Sequence, residues 1–145
     1  MKNVIDKFIG DYAFLSNFEP CYIYYEDFIF YSVENAYQAS KCKNKEDIVR
    51  FLGIPPGKAK RLGRTVSLRD DWEDVKVSLM KGFLRQKFFD PKLRNKLLAT
   101  EGYELIEGNW WNDTFWGVCN GKGENQLGKL LMQIREDIQE GRKYE

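Results

Sequence analysis

Residues 32–41 read SVENAYQASK, and the spacing of this stretch predicts a short helix on which the fold can be organised. Ser32 is a residue type whose hydroxyl caps a helix start. Behind it, Glu34, Tyr37, Gln38 and Lys41 stand at i, i+3, i+4 and i+7, so an acid, an amide and an ammonium share one stripe. Val33, Ala36 and Tyr37 hold the adjoining apolar face. Glu34 falls in the first turn, where the helix dipole favours an ionised carboxylate. Two readings stay open: a wet stripe that is a reaction centre, or a solvated face with a weak ion pair.

The 145 residues, 43% hydrophobic and 15% aromatic, can bury one sizeable core, so residues 1–145 are expected to form a single domain. The N-terminal stretch MKNVIDKFIGDY lacks a sustained apolar run, and no segment approaches the ~20 apolar residues of a membrane crossing. Cys21, Cys42 and Cys119 are odd in number and contain no CxxC pair, a pattern that fits reduced, buried thiols in a cytoplasmic protein. There is no histidine, which excludes Ser-His and Cys-His nucleophiles and His-ligated zinc. Acid–base work then falls to carboxylates, Lys, Tyr or water. A net charge of +1 argues against a broad duplex-gripping surface and permits a small phosphate pocket.

Upstream of the helix, GDYAFLSNFEPC mixes Gly10, Asn17 and Pro20 with Tyr12, Phe14, Leu15 and Phe18. The rings either plug the core or form a flat wall for a planar base, to which Asn17 adds an amide contact. Residues 21–25 and 28–31, joined by Glu26 and Asp27, predict a two-stranded hairpin that delivers the chain to Ser32. Downstream, Asn44 is placed to cap a short helix through Leu52, ended by Gly53 and an IPPG turn. PGKAKRLGRTVSLR then carries Lys58, Lys60, Arg61, Arg64 and Arg69 without an acid. It is either a solvated basic face or an anion site, in which Arg61 and Arg64, one helical turn apart, clasp one phosphate.

Asp70 or Asp71 starts the longest predicted helix, to about Phe88, with Trp72, Val75, Leu79, Phe83 and Leu84 on one stripe. Trp72, at its first turn, is also a candidate pocket wall. Pro91 opens a further helix with Leu93, Leu97 and Leu98 inward, Gly102 ends it, and residues 103–107 alternate like a short strand. GNWWNDTFWGVCNGKGEN gathers Trp110, Trp111, Phe115 and Trp116 among Gly, Asn and Asp. Gly117, Gly121 and Gly123 allow backbone N–H groups to face an anion, and Asn125 can cap a last helix with Leu127, Leu130, Leu131, Ile134 and Ile138 in the core. GENQLGK at 123–129 imitates a triphosphate loop, but Leu130 replaces the magnesium-binding hydroxyl. Asp113, an acid between tryptophans, is either a proton carrier or an Asx-turn carboxylate.

The ordered series YAFLSNFEP, SVENAYQASK, AKRLGR, LRDDWEDVK, LIEGN, DTFWG and GENQLGKLLMQIR resembles the NADAR, or YbiA-like, family through nearly the whole chain. The resemblance implies a small, mainly helical α+β domain; with the hairpin, a few short antiparallel strands are expected. It implies cleavage of N-glycosidic bonds, either in phosphoribosylamino-pyrimidine intermediates of riboflavin synthesis or in ADP-ribosylated guanine of nucleic acid. Glu34 matches the family's helix glutamate, Trp72 the tryptophan of its DW pair, and Asp113 the aspartate before FWG. The NWW of 109–111 departs from the smaller Ser-Pro type of segment common in relatives, which bears on the pocket wall and the leaving base.

On this resemblance a carboxylate stabilises the oxocarbenium-like sugar as the ribose C1–N bond breaks. Glu34 is assigned the stabilising and general-base role. Asp113 places ribose hydroxyls or protonates the leaving nitrogen, and the two roles can be exchanged. Trp72 and Trp116 stack on sugar or base, with Asn17, Phe18, Gly117 and Asn125 also in contact with substrate. Arg61, Arg64 and Arg69 grip phosphate, and Lys41 neutralises Glu34 or touches the ribose. No metal or cofactor is expected. The competing reading is a non-catalytic module that binds ADP-ribose or a related nucleotide.

Overall fold

Ser32 acts as its residue type predicts: its hydroxyl oxygen accepts the Asn35 backbone N–H at 3.0 Å and starts helix α1, Val33–Ser40. In chain order the elements are β1 (Asn3–Ile5), a 3-10 turn (Gly10–Leu15), β2 (Ile23–Tyr25), β3 (Phe28–Phe30), α1, α2 (Lys45–Ile48), a 3-10 turn (Val49–Phe51), α3 (Pro56–Leu62), α4 (Trp72–Lys87), α5 (Pro91–Leu98), β4 (Tyr103–Leu105), β5 (Gly108–Asn109), β6 (Val118–Cys119) and α6 (Gln126–Gln139). The computed structural model describes residues 3–141. It divides into two units, Asn17–Lys87 and the N-terminal segment through Ser16 joined with the chain from Phe88 onward.

In the Asn17–Lys87 unit, β2 and β3 pair antiparallel in the register Ile23↔Phe30, Tyr24↔Ile29 and Tyr25↔Phe28. Ile23 and Phe30 point inward while Tyr24 and Ile29 are exposed, the period of two that a half-buried hairpin requires. The turn is the expected Glu26-Asp27, with Glu26 at φ 53°. On the outer edge of β2, the Gln86 side-chain amide accepts the Tyr24 N–H at 2.7 Å and donates to the Tyr24 carbonyl at 2.9 Å. That pairing stands in for a neighbouring strand and ties the hairpin to α4.

Helix α1 packs against both α3 and α4. On α4, Trp72, Met80, Phe83 and Leu84 are buried, whereas Val75 and Leu79 are only half-buried. The inward stripe therefore runs through Met80 rather than through Leu79. The helix expected from Asn44 to Leu52 is a four-residue α2 followed by a 3-10 turn, and Asn44 makes no side-chain cap bond. Four residues leave α2 too short to hold its own ladder, so the chain tightens into i to i+3 bonds.

In the other unit β1 and β4 pair parallel, Asn3↔Tyr103 to Ile5↔Leu105, and β5 pairs parallel with β6. The expectation of antiparallel strands therefore holds for the hairpin and fails for these two pairs. Antiparallel pairing needs only a tight turn, whereas parallel pairing joins segments far apart in sequence, as Ile5 and Leu105 are. The start of α5 is capped by Asp90, whose Oδ1 accepts the N–H groups of Lys92 and Leu93 at 2.8 and 3.4 Å. Arg135 of α6 donates to the Thr100 carbonyl and hydroxyl at 2.8 and 2.9 Å, linking α6 to the end of α5. Burial lowers its guanidinium from the ordinary value, so those two acceptors matter.

Asn125 does not cap α6. It has left-handed backbone, φ 51° and ψ 42°, and its side chain makes no cap bond. Its amide instead donates to the Leu105 carbonyl at 2.9 Å and accepts the Glu107 N–H at 2.9 Å, binding the α6 start to β4. No helix among the described residues is long and apolar enough to cross a membrane.

Two outcomes follow from this packing. Asn35 Nδ2 donates to the carbonyls of Phe51 and Ile54, both at 2.9 Å, so Asn35→Ala orphans two acceptors and should lower unfolding free energy by about 2–4 kcal/mol. A urea midpoint unchanged from the parent would remove Asn35 from the scaffold. Burial is the largest cause that pushes the Cys42 thiol up to about 11, with Asp47 next. At pH 8 on the order of one Cys42 in a thousand is then thiolate. Peptide mass spectrometry should find Cys42 unmodified by iodoacetamide in the folded protein at pH 8 and modified after unfolding; labelling at the rate of a free thiol contradicts this.

Candidate functional site

The wet stripe expected along α1 is absent, because all eight helix residues are buried. Glu34 is 8% exposed, and its position is over-determined. Its backbone N–H donates to the Asn17 carbonyl at 3.0 Å, and its Oε2 accepts Gln38 Nε2 at 2.7 Å. A carboxylate in such surroundings is costly unless hydrogen-bonded, and the i, i+4 amide supplies the bond. The backbone of Asn17 thus lies beside that of Glu34, a contact that the sequence did not indicate. Asn17 Nδ2 reaches the Met80 sulfur at 3.7 Å, while its buried Oδ1 has no donor among the described residues.

One turn further, Tyr37 and Trp72 pack with ring centroids 5.2 Å apart, tilted by 55°, and Lys41 Nζ stands 5.5 Å from the Tyr37 ring centre. Trp72 is only 6% exposed. Its ring is in the first place a packing partner for α1, so the face it offers as a pocket wall is narrow. Phe18, by contrast, is exposed. A side chain at Gly57 would meet Arg61 Nη1 at 3.9 Å and Phe18 Cε2 at 4.0 Å, so ring and guanidinium both border the first turn of α3.

The three arginines separate. Arg69 closes a fork on Asp71, Nε to Oδ1 at 2.6 Å and Nη2 to Oδ2 at 3.1 Å, and its Nη1 reaches the Tyr25 hydroxyl at 3.4 Å and the Ser40 carbonyl at 3.5 Å. The bond from Arg69 holds the Asp71 carboxyl below its ordinary value. Burial is the largest influence on Tyr25 and raises its phenol, with Arg69 pulling the other way. Arg69 is therefore a joint of the fold, and a phosphate expected at this position would have to displace the Asp71 carboxylate from its fork. Arg61 and Arg64 are exposed and make no ion pair among the described residues. They are not one turn apart on a helix, since α3 ends at Leu62. Arg64 follows in a turn whose N–H donates to the Arg61 carbonyl at 3.2 Å.

In the other unit, the Trp-rich loop is held by its own polar side chains. Asn109 donates from Nδ2 to the Asp113 carbonyl at 2.8 Å and accepts the Asp113 N–H at 3.1 Å. Asp113 Oδ1 accepts the N–H groups of Phe115 and Trp116 at 3.2 and 2.9 Å, which is the Asx-turn arrangement. Trp116 stands edge-on to Phe115 at 4.9 Å. Gly117 is buried, and a Cβ there would overlap the Glu107 carbonyl. Its lack of a side chain serves the close pass of the chain beside Glu107, and not only an anion. Trp110 is 86% exposed and stands edge-on to Trp111 at 5.6 Å. Cys21 is half-buried, Cys42 and Cys119 are buried, and all three are free thiols.

Sequence reasoning missed the weight of Gln38 and Asn35. The i+4 offset from Glu34 pointed to Gln38, but Asn35 carried no signal, because its acceptors lie 16 and 19 residues away. Asp71, too, was read only as a helix start.

A NADAR domain model matches residues 7–139. The protein named N-glycosidase YbiA of Escherichia coli (strain K12) is 40% identical over 135 residues, covering 88% of this chain and 82% of that one. A riboflavin biosynthesis protein of Vibrio vulnificus is 37% identical over 141 residues, 92% of this chain, which spans 38% of that protein's length. The NMR structure of the E. coli protein YbiA superposes with a TM-score of 0.83 at 34% identity, covering 97% of this chain and 88% of that one. The α+β architecture and the ordered motifs thus have one explanation: this chain belongs to the NADAR domain family.

Proposed function

We propose that this chain, acting as one NADAR domain, is an N-glycosidase that hydrolyses the bond between ribose C1 and a base nitrogen in a phosphorylated ribosyl compound. The observation that carries the reading is Glu34, a buried carboxylate on α1 fixed at its backbone by Asn17 and at its head by Gln38, in a relative of proteins named N-glycosidases. When the C1–N bond breaks, its electron pair leaves with the nitrogen and positive charge spreads over C1 and the ring oxygen. A carboxylate held beside that carbon stabilises the charge and takes a proton from the water that adds to C1. Asp113 holds a ribose hydroxyl or gives the leaving nitrogen its proton, its Oδ1 oriented by two backbone N–H groups.

Asn17 Oδ1, buried without a donor, accepts a substrate N–H or O–H. Phe18 and Trp116 supply ring faces to sugar or base, Trp72 backs Tyr37, and Lys41 balances the charge near the ribose. Gly117 and Asn125 shape the Trp-rich loop. Arg61 and Arg64 take the phosphate, since of the three arginines in the basic run these two make no ion pair among the described residues. A phosphoribosylamino-pyrimidine is the favoured substrate class, supported by the riboflavin biosynthesis name of one relative and by the small net charge of +1. Its free thiols suit work in the cytoplasm.

The test offers one preparation a ribosylaminopyrimidine phosphate and an ADP-ribosyl-guanosine oligonucleotide and reads free base by mass spectrometry. Release from the first supports the reading, and release from the second alone moves the substrate to modified nucleic acid. Binding of ADP-ribose with no base released from either makes the protein a nucleotide-binding module. Glu34→Gln should keep the fold and lower turnover by about two to four orders of magnitude; an undiminished rate removes Glu34 from the chemistry. Replacing Arg61 and Arg64 together by Ala should raise KM about tenfold or more with kcat nearly unchanged, as loss of uniform binding does. A fall in kcat at constant KM would take the phosphate away from them.

A further inference from the structure

Gln38 is 5% exposed, and beside an ionised Glu34 the direction of its amide is fixed by chemistry. A carboxylate only accepts hydrogen bonds, so the group 2.7 Å from Glu34 Oε2 is the NH2 end. Its carbonyl end then points the other way, toward Gly63 at the end of α3, and finds no donor among the described residues. A Cβ at position 63 would overlap Gln38 Oε1 and lie 2.8 Å from its Cδ and 3.3 Å from its Cβ. Gly63 has φ −60° and ψ −19°, a right-handed conformation that alanine prefers to glycine in a helix. Backbone geometry therefore gives no reason for a glycine here; space for Gln38 does. A buried acceptor is left unpaired on one side while the other side of the same amide is kept on Glu34, which is an unfavourable exchange for stability alone.

We infer that Gln38 is a positioning residue for Glu34, and that Gly63 is the seat that holds it there. The α1–α3 contact then sets the rotation of the carboxylate, because a Gln38 pushed off Gly63 loses its line to Oε2. The role in turnover rests on the N-glycosidase reading, whereas the contact itself does not.

The experiment therefore has two arms. In kinetics, Gln38→Met keeps length and burial but has no donor, and Gly63→Ala displaces the native amide. Each should lower kcat per folded molecule between about ten- and a hundredfold with KM changed less than about twofold. Gly63→Ala added to Gln38→Ala should cost nothing further, since the obstructing side chain is gone. Wild-type kcat in Gln38→Met, or additive losses in the double variant, overturns the proposal. In the second arm, the Gln38 side-chain amide is followed by 1H–15N NMR without any substrate. One amide proton should lie downfield and return to the position of an exposed glutamine amide in both Glu34→Ala and Gly63→Ala. An unmoved resonance refutes the contact and its seat, even in a protein that releases no base. If neither substrate is cleaved by the wild type while the resonance moves as expected, the activity reading falls and the Glu34–Gln38–Gly63 arrangement stands as a carboxylate mount.

Discussion

A helix buried at every one of its eight positions cannot leave its polar side chains to water, and α1 carries Glu34, Asn35, Gln38 and Ser40. Each has to find its partner inside the protein, and each does. Asn35 takes the Ser32 hydroxyl at 2.6 Å on its Oδ1 and gives its N–H groups to Phe51 and Ile54; Ser40 donates to the Tyr37 carbonyl at 2.6 Å. Gln38 goes to Glu34. The bonds from Asn35 fasten the chain that leads into α3, and Gly63 lets α3 end against Gln38. The polar content of α1 is thus what aligns its neighbours, and it confers specificity of arrangement more than net stability.

That constraint explains what was legible in the sequence. Ser32 as a cap, the i to i+4 relation of Glu34 and Gln38, the two-residue hairpin turn and the long α4 all depend on residues close in the chain, whose rules act locally. The burial of the stripe was not legible, because a helix face that shows an acid, an amide and a cation reads as wet unless distant partners are known. The same limit hid the parallel strands. Three residues such as Asn3–Ile5 carry no periodicity, and their partner at Tyr103–Leu105 is named only by the fold. Asn125 misled for a related reason: asparagine before a helix suits a cap, yet in left-handed backbone its side chain is carried away from the first turn and toward β4.

The arginines show how geometry sorts charges that composition treats alike. Within the basic run Arg61, Arg64 and Arg69 are equivalent by sequence. A carboxylate two residues beyond the last of them makes Arg69 a structural clasp whose fork also holds the end of α1 through Ser40, while its near neighbours remain open to anions. Surface ion pairs contribute little by themselves. Here the value of the pair lies in committing one guanidinium to the fold, while Arg61, near Gly57, makes no ion pair among the described residues.

The two acids illustrate two ways of holding a carboxylate still. Glu34 is set by a helix and a side-chain amide one turn away, with the burial of the helix as its guarantee. Asp113 sits in a loop without regular structure, where precision has to come from side-chain bonds to the local backbone. Asn109 grips Asp113 at both its N–H and its carbonyl, and Asp113 in turn holds Phe115 and Trp116. Such a loop tolerates change between its anchors while the anchored atoms stay fixed. The exposed Trp110 and Trp111 occupy just that permitted stretch, between Asn109 and Asp113. Side-chain changes at 110 and 111 can therefore be accommodated there without disturbing the anchored Asp113 carboxylate.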